Sequence, residues 1–128
     1  MNFEAPQVLR YEPGQFYRPH LDRGHSNTDN TLSGGRIFTF FLYCSDVDEG
    51  GATNFPRINR TGLAVFPKRG RAILWPSVKN MDPTGPADSR TLHEAQDVKK
   101  GIKLAANVWI HQRNFKIPNE WGCTGAFD

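Results

Sequence analysis

Cysteine is scarce. Cys44 and Cys123 are the only two in 128 residues. Two thiols exclude a multi-bridge disulfide scaffold and a Cys-rich zinc site. They leave one bridge and two free thiols both open, and the compartment with them. Long apolar runs are also missing, and none approaches the roughly 18 residues of a membrane-spanning helix. Charge of one sign does not accumulate. Sixteen Lys and Arg against 13 Asp and Glu give a net +3, short of the basic clustering that marks a nucleic-acid surface. A nucleic-acid partner is therefore not expected. The opening residues, MNFEAPQV, have neither the basic stretch nor the apolar core of a signal peptide. Helical periodicity is absent too: no window of ten or more residues carries a capped apolar stripe.

What the chain does have is punctuation. Twelve Gly and nine Pro divide it into short β-branched and aromatic pieces. These predict strands at Gln7 to Tyr11, Ile37 to Tyr43, Leu63 to Pro67, Ala72 to Pro76 and Ile102 to His111. Weaker strands are predicted at Phe16 to Asp22 and Thr91 to Ala95. Many short strands in a chain of this length imply one mainly β domain over 1–128, a sandwich or barrel. Two polar stretches, 24–35 and 77–90, are long for loops in a small domain and read as binding loops or lids. In the tail after His111, Trp121 and Phe127 are expected to pack back on the body.

Metal chemistry enters with His20 and Asp22. Residues i and i+2 of a strand share a face, so the imidazole and the carboxylate can meet one ion. His25, His93 and His111 are the candidates for a third ligand. Two His and one carboxylate make the facial triad of non-haem Fe(II) oxygenases, with positions left open for co-substrate and dioxygen. A structural zinc site would close its shell with four ligands.

Lys103 follows His93 by ten residues, across the turn-like QDVKKG. A strand, turn and strand would return it beside the metal, where a buried lysine could pair with the far carboxylate of a chelated dicarboxylate. Lys103, Ala105, Asn107, Trp109 and His111 share one face of the last predicted strand. Polar groups on an inward face mark a lined cavity. The alternate face, Ile102 to Ile110, would then pack outward.

Five motifs occur in order: YEPGQFYRPHLD, EGGATNFP, RGRAILW, TLHEA and GIKLAANVWIH. Together they resemble the catalytic domain of prolyl 4-hydroxylases, Fe(II)/2-oxoglutarate-dependent dioxygenases, from about Val8 to His111. The resemblance implies a double-stranded β-helix, or jelly roll. Such domains carry helices before the first strands, which this chain lacks, so a fragment of a larger polypeptide is expected. A partner or further segment would cover the N-terminal side. The resemblance makes His20, Asp22 and His93 the iron ligands and Lys103 the partner of the 2-oxoglutarate C5 carboxylate. Tyr11 and Thr53 match residues that hold the same co-substrate, and Gly50 and Gly51 would let backbone approach the pocket. Tyr17, Arg36, Trp109 and His111 match positions near a peptide substrate, with Phe16 or Phe38 adding aromatic surface.

The implied activity is hydroxylation of peptidyl proline at C4. Fe(II) is the cofactor, 2-oxoglutarate and O2 are co-substrates, ascorbate is the reductant, and succinate and CO2 are released. Relatives of the collagen and cell-wall type imply the endoplasmic reticulum or secretory pathway. Two alternatives stand beside this. One is a 2-oxoglutarate oxygenase acting on another substrate. The other is a silent jelly-roll module that binds Pro-rich chains.

Overall fold

The computed structural model describes residues 1–23 and 32–122. Ten strands follow in order: β1 (Gln7–Tyr11), β2 (Tyr17–His20), β3 (Arg36–Tyr43), β4 (Glu49–Gly50), β5 (Thr53–Phe55), β6 (Leu63–Val65), β7 (Ala72–Pro76), β8 (His93–Ala95), β9 (Val98–Lys100) and β10 (Lys103–His111). One helical turn, α1 (Lys116–Glu120), closes the described chain. Its Pro118 falls in the first turn, where a missing N–H breaks no helical bond.

The strands form two four-stranded sheets and a small ribbon. The larger sheet runs β1-β10-β3-β7, the smaller β2-β8-β5-β6, and β4 pairs β9. All pairings are antiparallel. This is the expected jelly roll.

The core lies between the two sheets. Phe41, Tyr43, Trp75 and Ala105 come from the larger sheet and Phe55 from the smaller. Phe55 meets Trp75 edge-on, with ring centroids 5.2 Å apart. Truncating an aromatic in such a core costs about 3–5 kcal/mol. Strand alternation separates inside from outside on β3: Thr39, Phe41 and Tyr43 are buried, whereas Phe40 is exposed. β10 behaves likewise, with Lys103 and Ala105 buried and Leu104 exposed.

Several expectations are corrected. The Leu63 strand ends at Val65, and Pro67 lies outside it. The strand expected over Phe16 to Asp22 stops at His20, so Asp22 sits in a turn. QDVKKG is not a simple turn but contains β9. Trp121 does not pack back and is 75% exposed. Phe115 does so instead, buried against His111 with ring centroids 4.6 Å apart. Phe127 and Cys123 lie outside the described residues, and Cys44 is exposed.

Candidate active site

His20 and His93 face each other as a cross-strand pair of β2 and β8. Their ring centroids are 4.3 Å apart. His20 Nδ1 donates to the Arg18 carbonyl at 2.8 Å, and His93 Nδ1 to the Thr91 carbonyl at 2.9 Å. Both bonds place the proton on Nδ1 and leave the Nε2 lone pair free, the tautomer a metal requires. The two Nε2 atoms each lie 3.6 Å from an oxygen of Asp22. One ligand atom from each residue falls within 4.8 Å of the others. The turn after β2, rather than strand parity, brings Asp22 alongside His20.

Electrostatics prepare the three groups. Burial pushes the His93 imidazole down, keeping it neutral. Burial opposes the charged form of Asp22, but the Thr39 hydrogen bond and the facing His20 and His93 imidazoles outweigh it, so the carboxyl titrates below its usual range. For His20, burial is outweighed by Asp22 and the Arg18 carbonyl, and its imidazole is raised. Two imidazoles and one carboxylate suit a divalent transition ion.

Behind this cluster lies a cavity of about 390 Å³. Tyr11, Thr53, Trp75, Lys103 and Trp109 line it together with the three candidate ligands. Lys103 Nζ is buried and has no hydrogen-bond acceptor among the described residues. The rings of Tyr11, Phe41 and Tyr43 surround it at 5.3, 5.4 and 5.6 Å. Burial alone lowers its ammonium to about 8. An unpaired buried amine in an uncharged cage fits an incoming carboxylate, which would supply the charge and the acceptors that the cage does not. Thr53 hydrogen-bonds the Tyr43 hydroxyl at 2.7 Å. Gly51 brings the backbone within 2.7 Å of the Asp97 carbonyl, and a Cβ there would meet the Lys103 stem at 3.5 Å.

At the mouth, Tyr17 stands edge-on to His20, with ring centroids 4.5 Å apart. The Arg36 guanidinium lies 3.8 Å over the Trp109 ring. Glu4 accepts two bonds from Arg36, at 2.6 and 3.1 Å. His111 is not among the residues lining the cavity. It is buried, bonded to Glu4 at 2.8 Å and to the Gly34 carbonyl at 2.8 Å. Phe16 and Phe38 do not line the cavity either, whereas Phe41 does. His25 lies outside the described residues.

Sequence reasoning missed Thr39, Tyr43, Trp75 and Glu4. Parity flags the first two: Thr39 is a polar residue on the inward face of β3, the same anomaly that singles out Lys103 on β10. Glu4 has no such signal, since its partners lie 32 and 107 residues away.

Two imidazoles, a carboxylate and a deep-set lysine inside a jelly roll make the arrangement of a mononuclear non-haem oxygenase site. The chain belongs to the 2OG-Fe(II) oxygenase superfamily, which it matches over residues 6–111. It is 36% identical to probable prolyl 4-hydroxylase 7 of Arabidopsis thaliana, across 90% of this chain and 40% of that protein. It is 42% identical to prolyl 4-hydroxylase subunit alpha-2 of Gallus gallus, across 94% of this chain and 22% of that protein. The chain thus spans less than half the length of either relative. Among solved structures it resembles the viral collagen prolyl hydroxylase of Paramecium Bursaria Chlorella virus-1 in its 2OG complex. There the identity is 33%, the TM-score 0.72, and the coverage 88% of this chain and 61% of that one.

Proposed function

We propose that this chain carries the catalytic site of an Fe(II)- and 2-oxoglutarate-dependent prolyl 4-hydroxylase acting on proline within a peptide. The observation that carries the reading is the convergence of His20, Asp22 and His93 at a cavity floored by the unpaired Lys103 amine. His20, Asp22 and His93 would hold Fe(II). Lys103 would pair with the C5 carboxylate of 2-oxoglutarate, with the Tyr11 and Thr53 hydroxyls beside it. The Tyr11 phenol, pushed up by burial and by Tyr17, stays protonated and able to donate.

When bound, Fe(II) with 2-oxoglutarate and dioxygen supplies the oxidising power to hydroxylate an unactivated C–H bond, releasing succinate and CO2, with ascorbate as reductant. The protein's part is to bind, orient and exclude water. A Pro-rich peptide in polyproline II form docks on aromatic surface at low entropic penalty. Tyr17 and Trp109 offer that surface, and Arg36 offers a donor fixed by Glu4 and by stacking. His111 would brace the rim through Glu4. The 36–42% identity to prolyl 4-hydroxylases supports proline as the target.

The test is succinate formation from 2-oxoglutarate with Fe(II), with and without a Pro-rich peptide, followed by peptide mass. Peptide-stimulated succinate with a one-oxygen mass gain is expected. Succinate without peptide oxidation would discard proline as the target, and failure of the chain to bind iron would leave a silent binding module. His93→Ala should lose most bound metal. Unchanged metal content in that variant would remove His93 from the ligand set and leave His25 as the remaining candidate of the three, since His111 is bonded to Glu4 and the Gly34 carbonyl.

A further inference from the structure

Beside Asp22, and not among the residues lining the cavity, stands a hydroxyl that no sequence motif identifies. Thr39 is completely buried, on the inward face of β3. Its Oγ1 lies 2.6 Å from Asp22 Oδ2. A hydroxyl in such a place is costly to bury unless partnered. The carboxylate can only accept, so Thr39 donates its one proton there. Ser77, also buried, has its Oγ 3.5 Å from Thr39 Oγ1. With the Thr39 proton committed to Asp22, Ser77 is the donor of that longer contact.

The two carboxylate oxygens are thereby made different. Oδ1 and Oδ2 each lie 3.6 Å from an imidazole, of His20 and His93 in turn, but only Oδ2 receives the short charge-assisted bond from Thr39. We propose that Thr39 is a positioning residue that holds Asp22 as a one-oxygen metal ligand, engaging Oδ2 and presenting Oδ1. This rests on the reading of the site as an Fe(II) centre. A six-coordinate ion held by two imidazoles and one carboxylate oxygen would keep three positions for a chelating 2-oxo acid and dioxygen. A carboxylate free to turn both oxygens to the metal would take one of those three. Thr39 itself touches neither metal nor co-substrate, and acts through Asp22 alone.

The experiment uses the full chain loaded with Co(II), whose visible absorption reports coordination number without turnover. Three quantities are read in wild type, Thr39→Val and Thr39→Ser: Co(II) affinity, the Co(II) spectrum before and after 2-oxoglutarate, and the melting temperature without metal. Thr39→Val keeps the shape and removes the hydroxyl. It is expected to lose about tenfold or more in Co(II) affinity and to blunt the spectral response to 2-oxoglutarate. Thr39→Ser is expected to restore both, whatever its melting temperature. Wild-type affinity within about twofold and an unchanged spectrum in Thr39→Val would overturn the proposal. Equal impairment of Val and Ser variants would do the same. Should Thr39→Val fail to fold, Thr39→Ala against Thr39→Ser decides, since both lack the methyl and only Ser keeps the hydroxyl. Wild type that binds no Co(II) would strike down the metal centre itself, a result distinct from either failure of Thr39.

Discussion

Lys103 is a buried amine with no hydrogen-bond partner among the described residues. Its cage of three aromatic rings offers only weak cation–π attraction in place of water. The amine is therefore held in readiness for a carboxylate. Lys103→Met, which keeps the stem, should lose more than about 30-fold in 2-oxoglutarate affinity while metal affinity holds. Paired titrations of Co(II) and of 2-oxoglutarate check this; loss of both together would mean that the variant damages the fold. The lowered Lys103 value sets a pH window. Only the ammonium form pairs with the carboxylate, so 2-oxoglutarate affinity should fall as pH rises through about 8. Between about 8 and the ordinary 10.5, the unfolded chain binds more protons than the ligand-free fold at this residue. Its contribution to the stability of the ligand-free protein therefore rises with pH across that interval. Melting curves of wild type and Lys103→Met over the interval isolate the effect, which the variant should lack. The motif residues were legible because chemistry constrains them to short spacings: H-x-D, a distal His, a lysine ten further on. Thr39 and Glu4 act through contacts distant in sequence, and residue type alone does not announce them.

Among the elements, legibility followed length. β1 and β7 have the ends the sequence predicts, and β10 begins one residue later than predicted. β4, β5 and β9 have two or three residues each. Alternation needs more positions than that to show; β6 and β8 are as short but fall within the longer stretches Leu63 to Pro67 and Thr91 to Ala95, whereas β4, β5 and β9 have no such surroundings and went unread. The β4–β9 ribbon nonetheless matters to the pocket, because Gly50 and Gly51 lie at its end. Gly50 has φ +78°, and a Cβ there would fall 2.3 Å from the Asp97 carbonyl oxygen. No backbone oxygen can yield that far in place. Gly50→Ala should therefore shift β9 and cost about 1–3 kcal/mol. A lower urea midpoint with weakened 2-oxoglutarate binding is the expected result; an unchanged midpoint would show that the ribbon relaxes freely.

For the whole molecule, the outer face of the larger sheet stands out. Val8, Phe40, Leu74 and Leu104 all project from it, and Val8 and Leu74 are 78% and 59% exposed. Ladder register places them together: Val8 is opposite Ala106, and Phe40 is opposite Leu74. A contiguous apolar face of this kind drives association. The sequence pointed to it, because the outward set of β10 is as apolar as a core. Val8→Lys combined with Leu74→Lys should reduce self-association in sedimentation while Co(II) affinity stays as in wild type. Persistent association in the double variant would shift the sticky surface elsewhere.

The candidate metal ligands belong to the smaller sheet and the turn after it, whereas Lys103 and Tyr11 belong to the larger. Among the described residues no backbone ladder joins the two sheets. A dicarboxylate gripped by the metal at one end and by Lys103 at the other would act as a strut between two leaves whose described contacts include the Phe55–Trp75 pair and the Tyr43–Thr53 bond. Amide exchange should then slow in both leaves at once when the strut is in place. Each turnover would shorten that strut by one carbon, so the protein's own chemistry would loosen the brace that holds its halves together.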